Sequence, residues 1–244
     1  MKKLSIILVT LLLVMLAGIG VSAEKYVVGT SADFPPFEYV EDGEFVGFDM
    51  DLIRAIAEVE GFEVEIRDMS FDSLIAALKS GNIDIAIAGM TITEKREKVV
   101  DFSIPYYTAN QSVIVKEDSD LNLTVLYGDN NVGVQTSTTG DLWVTDNLEK
   151  KGILTGKVVR YDTFVLAVTD LVNGNLDAIV LDSPVAERFV DSHPLKEVGI
   201  IITGEEYGIV VNEGNKDLLN KINNGIKKLQ ESGVISKLVG KYFK

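Results

Sequence analysis

The chain contains no cysteine, a single histidine and a single tryptophan in 244 residues. Without cysteine there is no disulfide, no thiolate nucleophile and no thiolate metal site. His193 lies in Asp191-Ser-His-Pro194, the pattern of a surface turn, so imidazole chemistry is not expected either. Positive charge is also short. Lysine and arginine number 23 against 37 acids, a net charge of −14, which argues against nucleic acid or an anionic membrane surface as partner. Nucleophile elbows, phosphate loops, dinucleotide-binding glycine motifs and zinc-ligand spacings are all missing. Five prolines and no Pro/Gly/Ser-rich tract leave no flexible tether between domains. These absences favour a binding protein that uses no metal and no cofactor.

The hydrophobic share is 46%, enough for a sizeable core. Part of it belongs to the N-terminus. Lys2 and Lys3 precede a largely apolar run from Leu4 to Ala17, and Val21-Ser-Ala23 offers small residues for cleavage. This is the layout of a secretory signal peptide over 1–23, with an uncleaved anchor as the alternative. Cleavage after Ala23 leaves 21 basic residues against 37 acids, a charge of −16.

The most informative feature is a pattern that occurs twice, 93 positions apart. Phe71-Asp-Ser-Leu-Ile-Ala-Ala-Leu-Lys-Ser-Gly-Asn-Ile-Asp-Ile-Ala-Ile-Ala-Gly89 matches Phe164-Val-Leu-Ala-Val-Thr-Asp-Leu-Val-Asn-Gly-Asn-Leu-Asp-Ala-Ile-Val-Leu-Asp182 without a gap. Each copy reads as an amphipathic helix, a Gly-Asn stop and a short buried strand. Upstream, Tyr26-Val-Val-Gly-Thr-Ser31 echoes Val132-Gly-Val-Gln-Thr-Ser137. Helix–glycine–strand units are common in α/β chains, but two matched features in the same order favour a real repeat of two α/β lobes. Ligands of open α/β sheets bind beyond the carboxyl ends of strands. Two such lobes facing each other would form a cleft.

Strands are predicted at Tyr26–Thr30, Phe62–Asp68, Ser112–Val115 and Tyr207–Val211, and a hairpin turns at Glu41-Asp-Gly-Glu44. Helices are predicted at Asp49–Gly61 and Lys216–Leu229, with a shorter one closing the chain. Thr91-Ile-Thr-Glu94 reads as a capping box before Lys95–Val99.

Several residues could carry the chemistry of binding. Gly89-Met-Thr-Ile-Thr-Glu-Lys-Arg96 follows a buried strand and opens a helix, where free backbone N–H groups attract anions. Arg96 in a first helical turn opposes the helix dipole. It could fork onto a ligand carboxylate, or pair with Glu94, Glu97 or Asp101. Asp182 ends the matching strand of the other lobe, where it could hold an ammonium or cap the helix that begins at Ser183-Pro184. Phe34, beside Pro35-Pro36, could stack on a ligand or anchor its loop, and Phe71 reads more readily as core.

These residues carry a resemblance. From Tyr26 onward the chain resembles the extracytoplasmic solute-binding proteins of polar amino acid ABC transporters, of the arginine- and glutamine-binding type. The matching segments are Ser31-Ala-Asp-Phe-Pro-Pro-Phe-Glu38, Gly47-Phe-Asp-Met-Asp-Leu52, Phe71-Asp-Ser-Leu-Ile75, Gly89 to Arg96, Asp101-Phe-Ser-x-Pro-Tyr106, Val134-Gln-Thr-Ser-Thr-Thr-Gly140 and Tyr207-Gly-Ile209. The resemblance implies a two-lobed periplasmic-binding-protein fold of α/β class. Lobe 1 would be discontinuous over 24–109 and 207–244, lobe 2 would span 110–206, and a two-strand hinge would join them. It also implies roles. Arg96 and Thr91 would clamp a ligand α-carboxylate, with Thr138 and Thr139 adding donors from lobe 2. Asp182, the Gly89 carbonyl and Thr91 would hold the α-ammonium, and Met90 is counted with this segment. Phe34 and Phe71 would sandwich the ligand side chain, while Ser31, Glu38 and Gln135 would reach its distal end.

The sequence departs from the family at Ser31, where many members place an aspartate, and at Gln135, where several glutamine binders carry a lysine. Loss of that cation favours a cationic side chain, which could lie between aromatic faces with Glu38 as partner charge. The expected ligand is therefore free L-arginine, with L-glutamine second and lysine or histidine after them. The expected partner is an ABC permease, and the protein is expected to be an extracytoplasmic monomer and not an enzyme. Two other classes share the scaffold: exported arogenate or prephenate dehydratases, and sensory ligand-binding modules.

Overall fold

A computed structural model describes residues 23–243. The leader expected over 1–23 lies, but for its last residue, outside the described residues. Among the described residues no helix is long and apolar enough to cross a membrane.

The strands are β1 (Lys25–Thr30), β2 (Asp33–Phe34), β3 (Glu38–Glu41), β4 (Glu44–Val46), β5 (Glu63–Asp68), β6 (Ile85–Ala86), β7 (Val100–Phe102), β8 (Tyr107–Lys116), β9 (Val132–Gln135), β10 (Val158–Tyr161), β11 (Ala178–Asp182), β12 (Leu195–Tyr207) and β13 (Val210–Asn212). They form two five-stranded sheets, ordered β5-β1-β6-β13-β7 and β10-β9-β11-β8-β12, and a small sheet β2-β3-β4. In each large sheet three parallel strands are followed by an antiparallel one. β5, β1 and β6 precede β13 in the first, and β10, β9 and β11 precede β8 in the second. The sequence repeat is thus a topological repeat.

Its local chemistry repeats as well. Gly81 and Gly174 both adopt left-handed backbone, at φ 72° and 80°, where their helices stop. The aspartates after them make equivalent bonds. Asp84 accepts the Val27 N–H at 2.8 Å and Asp177 accepts the Asn131 N–H at 2.7 Å. Each fastens the start of a repeat strand to its parallel neighbour.

The helices are α1 (Phe48–Glu60), α2 (Leu74–Ser80), α3 (Glu94–Glu97), α4 (Thr139–Val144), α5 (Phe164–Val172), α6 (Ser183–Ser192), α7 (Lys216–Glu231) and α8 (Val234–Tyr242). Ile53, Ile56 and Ala57 of α1 and Leu218, Ile222, Ile226 and Leu229 of α7 are buried. That is the spacing of an apolar helix face, and the two helices pack on each other.

β8 and β12 run antiparallel from the second sheet toward the first, pairing Tyr107 with Tyr207 and Ala109 with Glu205. Around their ends Phe37, Phe48, Tyr106, Tyr107, Tyr207 and Phe243 form one aromatic cluster, with neighbouring centroids 4.6–6.3 Å apart.

Three expectations need correction. The strand predicted at Ser112–Val115 begins at Tyr107, because its polar first half crosses between lobes and has no apolar run to mark it. The strand predicted over Tyr207–Val211 is two strands, β12 ending at Tyr207 and β13 beginning at Val210. The break falls at Gly208, where a Cβ would approach Phe102 and Ile92 within 2.9–3.0 Å. The helix cap is Thr93, not Thr91. Thr91 is drawn into a bridge with Tyr207, and its hydroxyl donates to Glu205.

Candidate functional site

The carboxyl ends of β1, β6, β9 and β11 converge on one cavity. The lining includes Ser31, Phe34, Glu38, Phe71, Gly89, Thr91, Arg96, Gln135, Thr138, Thr139 and Asp182, which are eleven of the twelve residues expected from sequence. Met90 is the exception. Its side chain turns away from the cavity into the apolar cluster with Leu74, Leu78 and Val100.

Arg96 decides the character of one end. It is only 7% exposed. Its Nη1 donates to the Thr91 carbonyl at 2.7 Å and its Nη2 to the Ser137 carbonyl at 3.0 Å. The guanidinium lies 5.4 Å from the centroid of the Phe71 ring. The salt-bridge alternatives fail, because among the described residues no carboxylate pairs with Arg96 and Asp101 pairs instead with Lys216. Burial pulls the arginine down to about 10, against the opposing pull of the Glu205 and Asp182 charges. A buried cation held only by neutral carbonyls is costly unless a charge completes it.

Asp182 also leaves its alternative behind. It occupies the N-cap position of α6 but makes no side-chain capping bond. Its Oδ1 instead accepts the Tyr207 hydroxyl and, at 3.1 Å, the Gln111 amide. Burial, and then the charge of Glu205, push the Asp182 carboxyl up to about 7.

Glu205 went unnoticed in the sequence. It is buried at the end of β12 and accepts hydrogen bonds from Thr91 at 2.8 Å, from Gln111 at 3.1 Å and from Thr139. Thr91 and Thr139 come from different lobes, so one carboxylate bridges the cleft. The available signal was its place two residues before Tyr207, on the same face of the strand.

At the other end Phe34 is buried and stacked on Phe164, a residue of the second lobe, at 5.8 Å. A Cβ on Gly89 would come within 2.7 Å of the Phe34 ring, and Gly89 has φ 53°, so glycine is required there on both counts. Asp33 is a second residue that sequence reasoning passed over. It accepts the Ser31 hydroxyl at 2.9 Å, the Phe164 N–H at 2.9 Å and the Gln135 amide at 3.4 Å. An acid beside Ser31 thus occupies this end of the cavity even though position 31 is not aspartate. Gln135 is held further by the Asp162 carbonyl at 2.9 Å. The Thr138 hydroxyl caps α4, accepting the Asp141 N–H at 3.1 Å while donating to the Gln135 carbonyl. Glu38 is fully buried, and neither of its oxygens meets a donor.

A probable histidine-binding protein of Neisseria gonorrhoeae is 36% identical over 224 residues, covering 89% of this chain and 82% of that protein. An ancestral arginine-binding protein superimposes with a TM-score of 0.85 at 41% identity when bound to arginine, covering 90% of this chain and 98% of that one. An ancestral arginine-binding protein bound to glutamine gives a TM-score of 0.84 at 42% identity, covering 90% of this chain and 97% of that one. An ancestral amino acid-binding protein described as a precursor of cyclohexadienyl dehydratase gives a TM-score of 0.83 at 36% identity, covering 90% and 96%. Residues 26–244 match the bacterial extracellular solute-binding proteins, family 3, and the chain belongs to that family.

Proposed function

We propose that this protein captures a free L-amino acid between its two lobes, arginine by preference and glutamine second, and presents the closed form to an ABC permease. Lobe 1 comprises 24–109 and 207–244, and lobe 2 comprises 110–206. The protein works as an exported monomer whose leader ends at Ala23. The observation that carries the reading is the buried Arg96 guanidinium, which lacks a carboxylate partner among the described residues, in one cavity with the buried Asp182 carboxyl. A zwitterion supplies both missing charges at once, its carboxylate to Arg96 and its ammonium to Asp182. Thr91, Thr138, Thr139 and the Gly89 carbonyl complete the α-group contacts. Phe34 and Phe71 flank the side chain, and Ser31, Glu38 and Gln135 meet its far end. The structures of ancestral arginine-binding proteins bound to arginine and to glutamine support both ligands for this cavity.

The test is isothermal titration calorimetry of the mature protein, refolded to strip carried ligand, against the common amino acids. The expected result is tight one-to-one binding of arginine, with glutamine next. Binding of none would overturn the receptor reading.

A second reading is favoured by one observation. Glu38 is a buried carboxyl in the cavity with no committed partner, and a dehydratase needs an acid to protonate its leaving hydroxide. The receptor reading expects no turnover when the protein is incubated with arogenate or prephenate. Turnover that disappears in Glu38→Gln would establish the enzyme.

A further inference from the structure

Among the described residues Glu38 is the one carboxyl of the cavity for which the protein supplies no donor. Its neighbour is Asp49, equally buried, in the first turn of α1. Asp49 Oδ2 accepts the Gly89 N–H at 2.9 Å and the Tyr106 hydroxyl at 2.7 Å, while its Oδ1 meets no donor. The Asp49 N–H donates to the carbonyl of Phe37, the residue before Glu38, at 2.9 Å, which sets the two carboxyl groups side by side, and each acts on the other's ionisation. Two buried carboxylates this close cannot both ionise. A single proton between them supplies the missing donor and satisfies Asp49 Oδ1. The surroundings decide which group keeps it. Asp49 has two donors and the positive end of a helix, which favour its anion. Glu38 has neither.

Resting on the reading of the cavity as an amino acid receptor, we propose that Glu38 holds this shared proton when the bound side chain is neutral and releases it to solvent when the side chain is cationic. Glu38 then sorts ligands by charge through its protonation, and Asp49 is the positioning residue that holds the proton in place. Glu38 would donate a hydrogen bond to a neutral amide, or pair as an anion with a guanidinium. The groups acting on Glu38 come from three other elements, Asp49 in α1, Asp33 in β2 and Asp182 at the end of β11, and the Tyr106 hydroxyl just before β8 feels the charge of Glu38 in turn. The three carboxyls hinder its ionisation, and burial adds to them, so Glu38 stands well above the ordinary carboxylate range while Asp49 reaches about 6.

Asp182 can also lose a proton when a ligand binds, since every α-ammonium favours its anion. That contribution is common to all amino acids. The difference between arginine and glutamine in protons released therefore isolates Glu38.

The experiment is calorimetry of the mature protein with arginine and with glutamine, in paired buffers of differing ionisation enthalpy, across the acid-to-neutral range. The expected result is that arginine releases about one proton more than glutamine, and that its affinity relative to glutamine rises by up to ~10-fold per pH unit while Glu38 remains protonated. In Glu38→Gln the difference should vanish. In Asp49→Asn the amide nitrogen can donate to Glu38 while its oxygen keeps the Gly89 and Tyr106 bonds. Glu38 then ionises more readily, so the proton difference should shrink near neutrality and the pH dependence should move to lower pH. Equal proton counts for the two ligands in the wild-type protein, or a difference that persists in Glu38→Gln, would overturn the inference while leaving the receptor intact. Failure of either amino acid to bind at all would overturn the receptor reading and this inference with it.

Discussion

The two ends of the cavity are built on opposite plans. At the end of Arg96 and Asp182, most polar atoms answer one another. Glu205 takes Thr91, Thr139 and Gln111, and Asp182 takes Gln111 and Tyr207. Here the Gln111 Oε1 is left without a donor among the described residues. At the end of Glu38, both oxygens of a buried carboxyl are unanswered by any donor group. Preorganisation at the first end suits groups that every amino acid shares, because bonds fixed in advance cost no ordering when the ligand arrives. An incomplete set at the second end suits the part of the ligand that varies, since an unmet polar group penalises any ligand that fails to meet it.

Breaking the shared end should cost most. In the proposed site Arg96→Ala removes the cation that reaches the ligand carboxylate. Truncating one partner of a buried charged pair costs about 2–5 kcal/mol, so affinity for every amino acid should fall roughly 30- to 5,000-fold. The free protein should keep its fold by circular dichroism, because an uncompensated buried cation is lost as well. A selective loss of arginine alone would move Arg96 to the distal end and undo the comparison.

Asp182→Asn should be the next largest, again reducing affinity for all amino acids. It also has a signature in stability. The folded protein holds the Asp182 proton up to about 7, whereas the unfolded chain releases it near the ordinary value of 3.8. The native state thus binds more protons in that window, and stability of the ligand-free protein falls as pH rises through it. Asp182→Asn should flatten part of this fall, leaving the share due to Glu38 and Asp49. Thermal melts across the window measure it, and a slope unchanged by the substitution would mean that Asp182 is ionised throughout.

Glu205→Gln should act more gently. The amide can still accept one hydroxyl proton but brings no charge, so about one hydrogen bond of ~1 kcal/mol is lost and affinity falls roughly fivefold. Loss of a neighbouring negative charge should also lower the Asp182 titration. Faster ligand release in stopped flow would locate the effect in the contact between Thr91 and Thr139. An unchanged release rate would remove Glu205 from the closed state.

What the sequence made legible, and what it hid, follows the same division. The repeat predicted two α/β lobes, because helix, glycine stop and buried strand are local patterns carried by neighbours in the chain. Arg96 stood out because its charge opposes the helix dipole, and Phe34 because no periodicity explains it; Phe71 read as core and Asp182 equally as a helix cap until the family resemblance singled them out. Glu205, Gln111, Asp33 and Asp49 stayed hidden, since each looks like an ordinary polar residue in a strand, loop or helix start. Their meaning comes from partners 40 to 131 positions away. The crossing strands were hidden for a related reason, as their polar halves show no apolar run.

Met90 belongs to a segment that lines the cavity without lining it itself. It lies between Gly89 and Thr91, both at the cavity, but its side chain is 1% exposed in the core of the first lobe. Met90→Leu conserves volume and hydrophobicity, so it should cost less than ~1.5 kcal/mol of stability. Arginine and glutamine affinity should stay within about twofold, since no ligand contact changes. Among the described residues Met90 packs with Leu74 of α2 and Val100 of β7. A tenfold change in affinity at unchanged melting temperature would show that this core transmits to Gly89 and Thr91. The shared end would then depend on packing behind it as well as on its own hydrogen bonds.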